Sequence, residues 1–185
     1  VSADGLFAVA AWRVPAPGAA VRSVLMRIDL DSGRRTIIAD DPTADLEHPV
    51  ISPDGAAVAF TRETISTPDC APRISLCHMN FSQSDVVGPV GEWDRWPASV
   101  SWTHDGSALL VTADENGRCP IFAITLDGTV TRLTADDYSY TNVVAAPDGV
   151  IYALRTSYAA PPHPVRIDPG GTVTVLPCVE LPELP

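Results

Sequence analysis

The chain contains no lysine, so all 12 of its basic residues are arginines, and 23 acidic residues give a net charge of −11. This balance argues against nucleic acid as a partner, because phosphate binding needs a cationic surface. No apolar run approaches the roughly 20 residues that span a bilayer, so we expect no membrane association. No leader-like segment opens the chain, and we therefore expect a cytoplasmic location.

Several catalytic and cofactor motifs are also missing from the sequence. There is no G-x-S-x-G elbow for a nucleophilic serine and no H-E-x-x-H, P-loop or dinucleotide fingerprint. A C-x-x-C zinc signature is absent as well. We therefore expect no catalytic residue, no cofactor and no metal site. The pair Cys70 and Cys77 can either bridge a hairpin in an oxidising compartment or remain reduced thiols.

Sustained helical periodicity is lacking, whereas an Asp-Gly pair recurs along the whole chain. The pairs end at Gly5, Gly55, Gly106 and Gly149, a spacing of about 43 to 51 residues. A repeat of this size is typical of a solenoid, a propeller or an array. Asp-Gly between alternating apolar segments predicts a hairpin, because glycine tolerates the positive φ of a tight turn.

Each repeat unit predicts four short antiparallel strands, A to D. The units share the order of their turns, except that the second has "NFSQSD" where the other three carry "DSG", "DG" or "PGG". Four strands in 40–50 residues match one β-propeller blade. The predicted fold is therefore all-β, a partial β-propeller of about four four-stranded antiparallel blades. A sandwich of ordinary strands explains the alternation but not the matching turns. The predicted blades are residues 1–46, 47–96, 97–140 and 141–178, followed by a linker at 179–185.

A propeller has two ends, or faces, along its axis. In a four-stranded meander the B–C and D–A links fall at the same end, and the long connections of this chain are predicted there. Function often lies on long loops of a rigid scaffold, and 12 of the 23 acids fall on these links. Such a face can attract cationic peptides or free amino termini, or it can be a solvated rim. The predicted B–C links are 13–22, 63–72, 114–119 and 156–162, and the D–A links are 40–47, 91–96 and 134–140.

The loop "DENGRCP" at 114–120 is the most distinctive of these connections. Arg118 is placed to reach a carboxylate or a carbonyl oxygen, and Asp114 and Glu115 accompany it. We predict that these three residues face a substrate or a second domain. The competing interpretation is an ordinary polar hairpin loop.

Three stretches carry a family resemblance: "HPVISPDGAAVAFTRE" at 48–63, the run 99–137 that begins "SVSWTHDG", and "APDGVIYALRTSYAAPPHPVRID" at 146–168. They resemble the propeller of the prolyl oligopeptidase family of serine peptidases, in its acylaminoacyl-peptidase and dipeptidyl-peptidase-like branch. The Asp-Gly repeat alone is less specific, because TolB-like propellers share it. The ending "LPCVELPELP" at 176–185 is similar to the segment that leads to the hydrolase domain of such enzymes.

The resemblance implies a division of labour within a longer protein. An α/β-hydrolase domain outside this chain would carry the Ser, Asp and His, and the propeller would admit only short peptides to it. No triad position maps onto this chain, so the segment itself would be inactive. We also expect self-association through the exposed terminal blades. The alternatives are a TolB- or WD-like protein-binding module, and a self-sufficient four-bladed propeller with a ligand in its channel.

Overall fold

The computed structural model describes residues 1–82, 86–87 and 93–178. Fifteen β-strands and one short 3-10 turn make up the regular structure of these residues. In this described part there is no helix whose length and hydropathy fit a bilayer. The strands are β1 (Phe7–Pro15), β2 (Val21–Asp29), β3 (Arg35–Ala39), β4 (Ala44–Ile51), β5 (Ala57–Thr64), β6 (Ile74–Asn80), β7 (Val86–Val87), β8 (Pro97–Trp102), β9 (Ala108–Ala113), β10 (Ile121–Thr125), β11 (Val130–Arg132), β12 (Ser139–Ala145), β13 (Ile151–Ser157), β14 (Ala160–Ile167) and β15 (Val173–Val175).

The strands form four antiparallel sheets, each a meander in chain order. The first sheet contains β1 to β3, the second β4 to β7, the third β8 to β11 and the fourth β12 to β15. The predicted all-β architecture of four blades is confirmed. The first sheet has three strands rather than four, because the residues before its Asp-Gly turn are too few to form a strand.

The Asp-Gly pairs form the turns between the first two strands of the second, third and fourth sheets, and the first pair lies just before β1. Gly55 has φ 72°, in the left-handed region that glycine adopts without strain. The Ser52 hydroxyl donates to Asp54 Oδ1 at 2.6 Å and accepts from the Ala57 backbone N–H at 2.9 Å. This Asx-type bonding closes the turn locally. The other repeats have the same positive φ at Gly5, Gly106 and Gly149.

Three hydrophobic clusters join consecutive sheets face to face. The first and second sheets share a cluster that includes Leu25 and Phe60, and the second and third share one that includes Leu109. A third cluster, with Leu110 and Val165, joins the third sheet to the fourth. The Trp102 indole N–H also donates to the Val50 carbonyl at 2.9 Å, which links the second and third sheets. The sheets therefore stack side by side, as blades do.

The sequence predicts that five aromatic residues of the strands, Trp12, Phe60, Trp102, Phe122 and Tyr152, fill the gaps between successive sheets. The structure divides them into two groups. Phe60, Trp102 and Phe122 are buried in the clusters as predicted. For Trp12 and Tyr152 the prediction was wrong, since their exposed fractions are 37% and 42%. Both lie on outer faces of the terminal sheets, and in the described residues no further sheet covers those faces. Self-association through them stays a prediction.

The predicted loop 156–162 is wrong in its bounds, because β13 and β14 continue through it and leave only residues 158–159 between them. Prolines 161, 162 and 164 lie within β14, and β15 pairs only with Val165–Ile167. The proline-bearing part of β14 has one free edge, where a missing N–H is tolerated. Strands β4 and β12 begin shortly before the predicted blade limits at 47 and 141. The predicted linker 179–185 lies outside the described residues.

Candidate functional site

One end of the stacked sheets, which we call the loop face, collects the links between second and third strands and between sheets. It includes the turns and loops at 16–20, 40–43, 65–73, 114–120, 133–138 and 158–159. The opposite end carries the Asp-Gly turns. The predicted functional residues of 114–120 therefore lie on the loop face, at the boundary between the third and fourth sheets.

The loop 114–120 is organised by a tight turn from Glu115 to Arg118. The Glu115 N–H donates to the Arg118 carbonyl at 2.8 Å, and the reverse bond measures 3.0 Å. Asn116 has φ 51° and Gly117 has φ 74°. Two consecutive positive φ values are the mark of a type I′ turn, which Asn-Gly favours. The backbone that carries Glu115 and Arg118 is therefore fixed by local geometry.

Glu115 is held between two arginines, one from the connection between the second and third sheets and one from β11. Its Oε1 accepts from Arg95 Nη2 at 3.2 Å, and its Oε2 accepts from Arg132 Nη1 at 2.6 Å. Arg132 Nε also donates to the Thr134 carbonyl at 2.7 Å. The carboxylate thus ties the loop to the segment before β8 and to β11. Its charge is fully compensated by these two guanidinium groups.

Asp114 is exposed and lies beside the Cys119 thiol. Burial raises the pKa of that thiol, and the neighbouring Asp114 carboxylate raises it further. A raised thiol pKa keeps Cys119 protonated and unreactive at neutral pH. All four cysteines, which lie within the described residues, are free, so Cys70 and Cys77 are not bridged.

Arg118 points away from this ion-pair network and lines a cleft of about 250 Å³ between the third and fourth sheets. Its Nη1 donates to the Gly117 carbonyl at 3.1 Å. Its Nε is buried and has no hydrogen-bond partner among the described residues. The cleft is otherwise lined by Gly117, Ser139, Thr156, Ser157 and Tyr158. The structure therefore does not bring Asp114, Glu115 and Arg118 together into one site.

A second polar cluster lies on the loop face beside this cleft. The buried Tyr140 hydroxyl donates to both oxygens of Asp136, at 2.9 and 2.7 Å. Arg155 Nη1 donates to Asp136 Oδ2 at 3.0 Å, and its Nε donates to His163 Nε2 at 3.2 Å. The guanidinium also stacks over the Tyr138 ring at 4.0 Å. Burial raises the pKa of Tyr140, and the Asp136 hydrogen bonds raise it further.

Four acids of the loop face, Asp40, Asp41, Glu115 and Asp136, are paired with arginines, which reduces the negative charge available to attract cationic peptides. Five of the six ion pairs among the described residues lie there. Asp41, for example, is partly buried, which raises its pKa, but Thr43 and Arg62 hydrogen bonds hold that pKa below the usual value. Glu92, one of the counted acids, lies outside the described residues.

The sequence prediction missed the hydroxyl-bearing side of the cleft. Ser139 opens β12, and Thr156 pairs with it across the sheet. Ser157 and Tyr158 belong to the hairpin that the sequence had suggested was a longer loop. No motif marks these residues, since only strand pairing brings them beside Arg118. The described ranges hold no group of three His, Cys, Asp or Glu suited to a metal ion.

No family model matches the chain. A curated relative, "Probable dipeptidyl-peptidase 5" of Aspergillus clavatus, is 32% identical over 80 residues. Dipeptidyl-peptidase 5 of Aspergillus fumigatus is also 32% identical over 80 residues. Each match covers 43% of this chain and 11% of the relative. The matched segment is therefore a small part of those proteins.

Solved structures share the fold over most of the chain. A TolB-like protein from Agrobacterium tumefaciens has TM-score 0.64 at 17% identity and covers 95% of this chain and 62% of its own. Puromycin hydrolase has TM-score 0.66 at 18% identity, over 85% of this chain and 26% of its own. A puromycin-hydrolyzing peptidase of Mycobacterium tuberculosis has TM-score 0.60 at 17% identity, over 100% and 38%. The chain is thus similar to dipeptidyl-peptidase 5 over 80 residues, and it shares its propeller fold with these solved structures.

Proposed function

We propose that the chain is the non-catalytic propeller portion of a serine peptidase that hydrolyses short peptides, and that it gates access to a hydrolase domain. The observation that carries the proposal is the 80-residue relatedness to dipeptidyl-peptidase 5 within a chain that forms stacked blades. The acylaminoacyl branch of the resemblance stays a prediction. So do the cytoplasmic location and the absence of nucleic-acid and membrane partners.

The loop face is the surface that we assign to the hydrolase domain and to peptide. Its connections are cross-tied: Arg22 pairs with Asp40, and Arg62 Nε donates to Asp41 Oδ2 at 2.8 Å. Such ties hold loops of neighbouring strands in fixed positions. A rigid rim of this kind would exclude folded or bulky substrates by shape, and loosening it would relax that exclusion.

The gating role is tested in the complete protein by Glu115→Gln. This change removes the carboxylate that Arg95 and Arg132 share, and so it frees the loop 114–120 from its neighbours. We expect kcat/KM for peptides of ten or more residues, taken relative to a dipeptide-releasing substrate, to rise severalfold. The matched control is Asp31→Asn, an exposed acid on the Asp-Gly side. An unchanged ratio for Glu115→Gln would refute the gating role.

A protein-binding propeller without a peptidase domain is the second candidate. The TolB-like neighbour, which covers 95% of this chain, favours it. The two candidates differ in one measurable property, peptide hydrolysis by the complete protein. A complete protein that hydrolyses no peptide would favour the binding module and reject the peptidase proposal.

A further inference from the structure

The cleft beside Arg118 has the chemistry of a small acceptor-binding site. Its lining contains one cationic side chain, several hydroxyl groups and no carboxylate. This composition is unusual for a chain with a net charge of −11. We propose that this cleft binds the carboxylate of a small molecule or of a peptide end, with Arg118 as its charged partner.

The state of the guanidinium is the first support for this proposal. Arg118 Nε is buried without a hydrogen-bond partner, and Arg118 belongs to none of the ion pairs of the described residues. A buried charged donor that lacks a partner is unfavourable. A planar carboxylate in the cleft would pair with the terminal N–H groups of this guanidinium through a charge-assisted bond, although Nε itself is closed to solvent.

The rigidity of the site is the second support. Arg118 sits at the end of the type I′ turn, whose two backbone bonds fix its Cα. The opposite wall comes from the paired strands β12 and β13, where Ser139 faces Thr156. Thr156 Oγ1 is already held by the Ala160 carbonyl at 3.0 Å. Ligand binding to such a preformed wall loses little conformational freedom.

The hydroxyl groups complete the set of donors. Ser157 Oγ accepts from the Ala159 N–H at 3.2 Å, which leaves its own proton free to donate. Tyr158 is fully exposed at the mouth of the cleft. The nearby Glu115 does not oppose an anion, because Arg95 and Arg132 neutralise it. The exposed Asp114 is the one neighbouring acid of the loop that no arginine pairs with.

The size of the cleft limits what it accepts. Its volume of about 250 Å³ is below the roughly 300–1,000 Å³ of pockets for drug-sized ligands. It therefore suits one terminal residue rather than an extended segment. A single guanidinium also matches the single charge of a carboxylate better than the double charge of phosphate. The inference concerns only these residues and does not depend on the proposed peptidase function.

The test is a titration of the chain followed through the arginine Nε–H signals in NMR. With 12 arginines and no lysine, this spectral region holds few signals. The probes are N-acetyl-L-alanine, its amide N-acetyl-L-alaninamide and inorganic phosphate. We expect the acid to shift the Arg118 signal and the two other probes to leave it in place.

Arg118→Gln should weaken binding of the acid by about tenfold or more, the loss of one charge-assisted hydrogen bond. The control Arg34→Gln, an exposed arginine on the Asp-Gly side, should leave the affinity unchanged. The proposal would be overturned if the amide or phosphate bound as well as the acid. It would also be overturned if the Arg118 signal did not shift below about 100 mM acid, or if both variants weakened binding equally. If Arg118→Gln does not fold, the wild-type Arg118 shift decides: its presence supports the proposal and its absence rejects it.

Discussion

Leu109 and Leu110 are neighbours on β9 that pack in opposite directions. Leu109 is fully buried in the cluster with the second sheet, and Leu110 is 2% exposed in the cluster with the fourth. This follows from the alternation of side chains along a strand. Leucine-to-alanine changes at buried sites cost the lost transfer energy plus a cavity term. We expect each single variant to lose about 3 kcal/mol of unfolding free energy.

The direction of packing is measured by double-mutant cycles in urea unfolding. Leu110→Ala should couple by at least about 0.5 kcal/mol with Val165→Ala of the fourth sheet, because the two side chains share a cluster. Leu109→Ala should couple similarly with Leu76→Ala of the second sheet. The crossed pairs should add to within about 0.5 kcal/mol.

Two results would refute this stacking order. One is a coupling energy between Leu110 and Leu76 as large as that expected between Leu110 and Val165. It would place Leu109 and Leu110 against the same sheet. The other is a cost below about 1 kcal/mol for either single leucine variant, since a side chain between packed sheets cannot be removed so cheaply.

Three further changes test local parts of the structure. The hydrogen bond from Thr103 lowers the pKa of Asp105 from 3.8 to about 2. The contribution of this carboxylate to the free energy of unfolding is therefore fully present above pH 3.8 and is lost as the pH falls towards 2. Thr103→Val should raise that pKa in an NMR titration. Tyr140→Phe should cost about 1.5–3 kcal/mol in urea unfolding, because its hydrogen bonds to Asp136 are lost. Gly106→Ala should cost about 1–2 kcal/mol, because φ is 70°.

The Asp-Gly repeat predicted the fold well because its cause is local. Glycine at positive φ and a hydroxyl two residues before the aspartate, as at Ser52 and Thr103, define the turn without tertiary contacts. The fourth repeat has Ala146 in place of the hydroxyl and still turns, so the glycine conformation is the essential element. Strand order follows once these turns are placed, because short connections join neighbouring antiparallel strands.

The cleft beside Arg118 was harder to predict from the sequence, because the residues that line it are brought together only by the pairing register of the strands. The sequence singled out Arg118 from its loop, but not the hydroxyls opposite it. Arg155 pairs with His163 across β13 and β14, and His163 directly follows the predicted link 156–162. Side chains from different strands are brought together by pairing, which no spacing rule records.

The peptidase assignment has one direct measurement: reaction of the complete protein encoded by the full reading frame with a fluorophosphonate probe. The account predicts covalent labelling of one serine within a G-x-S-x-G motif beyond this chain, together with hydrolysis of short peptides. A complete protein with no such motif and no labelled serine would contradict the account.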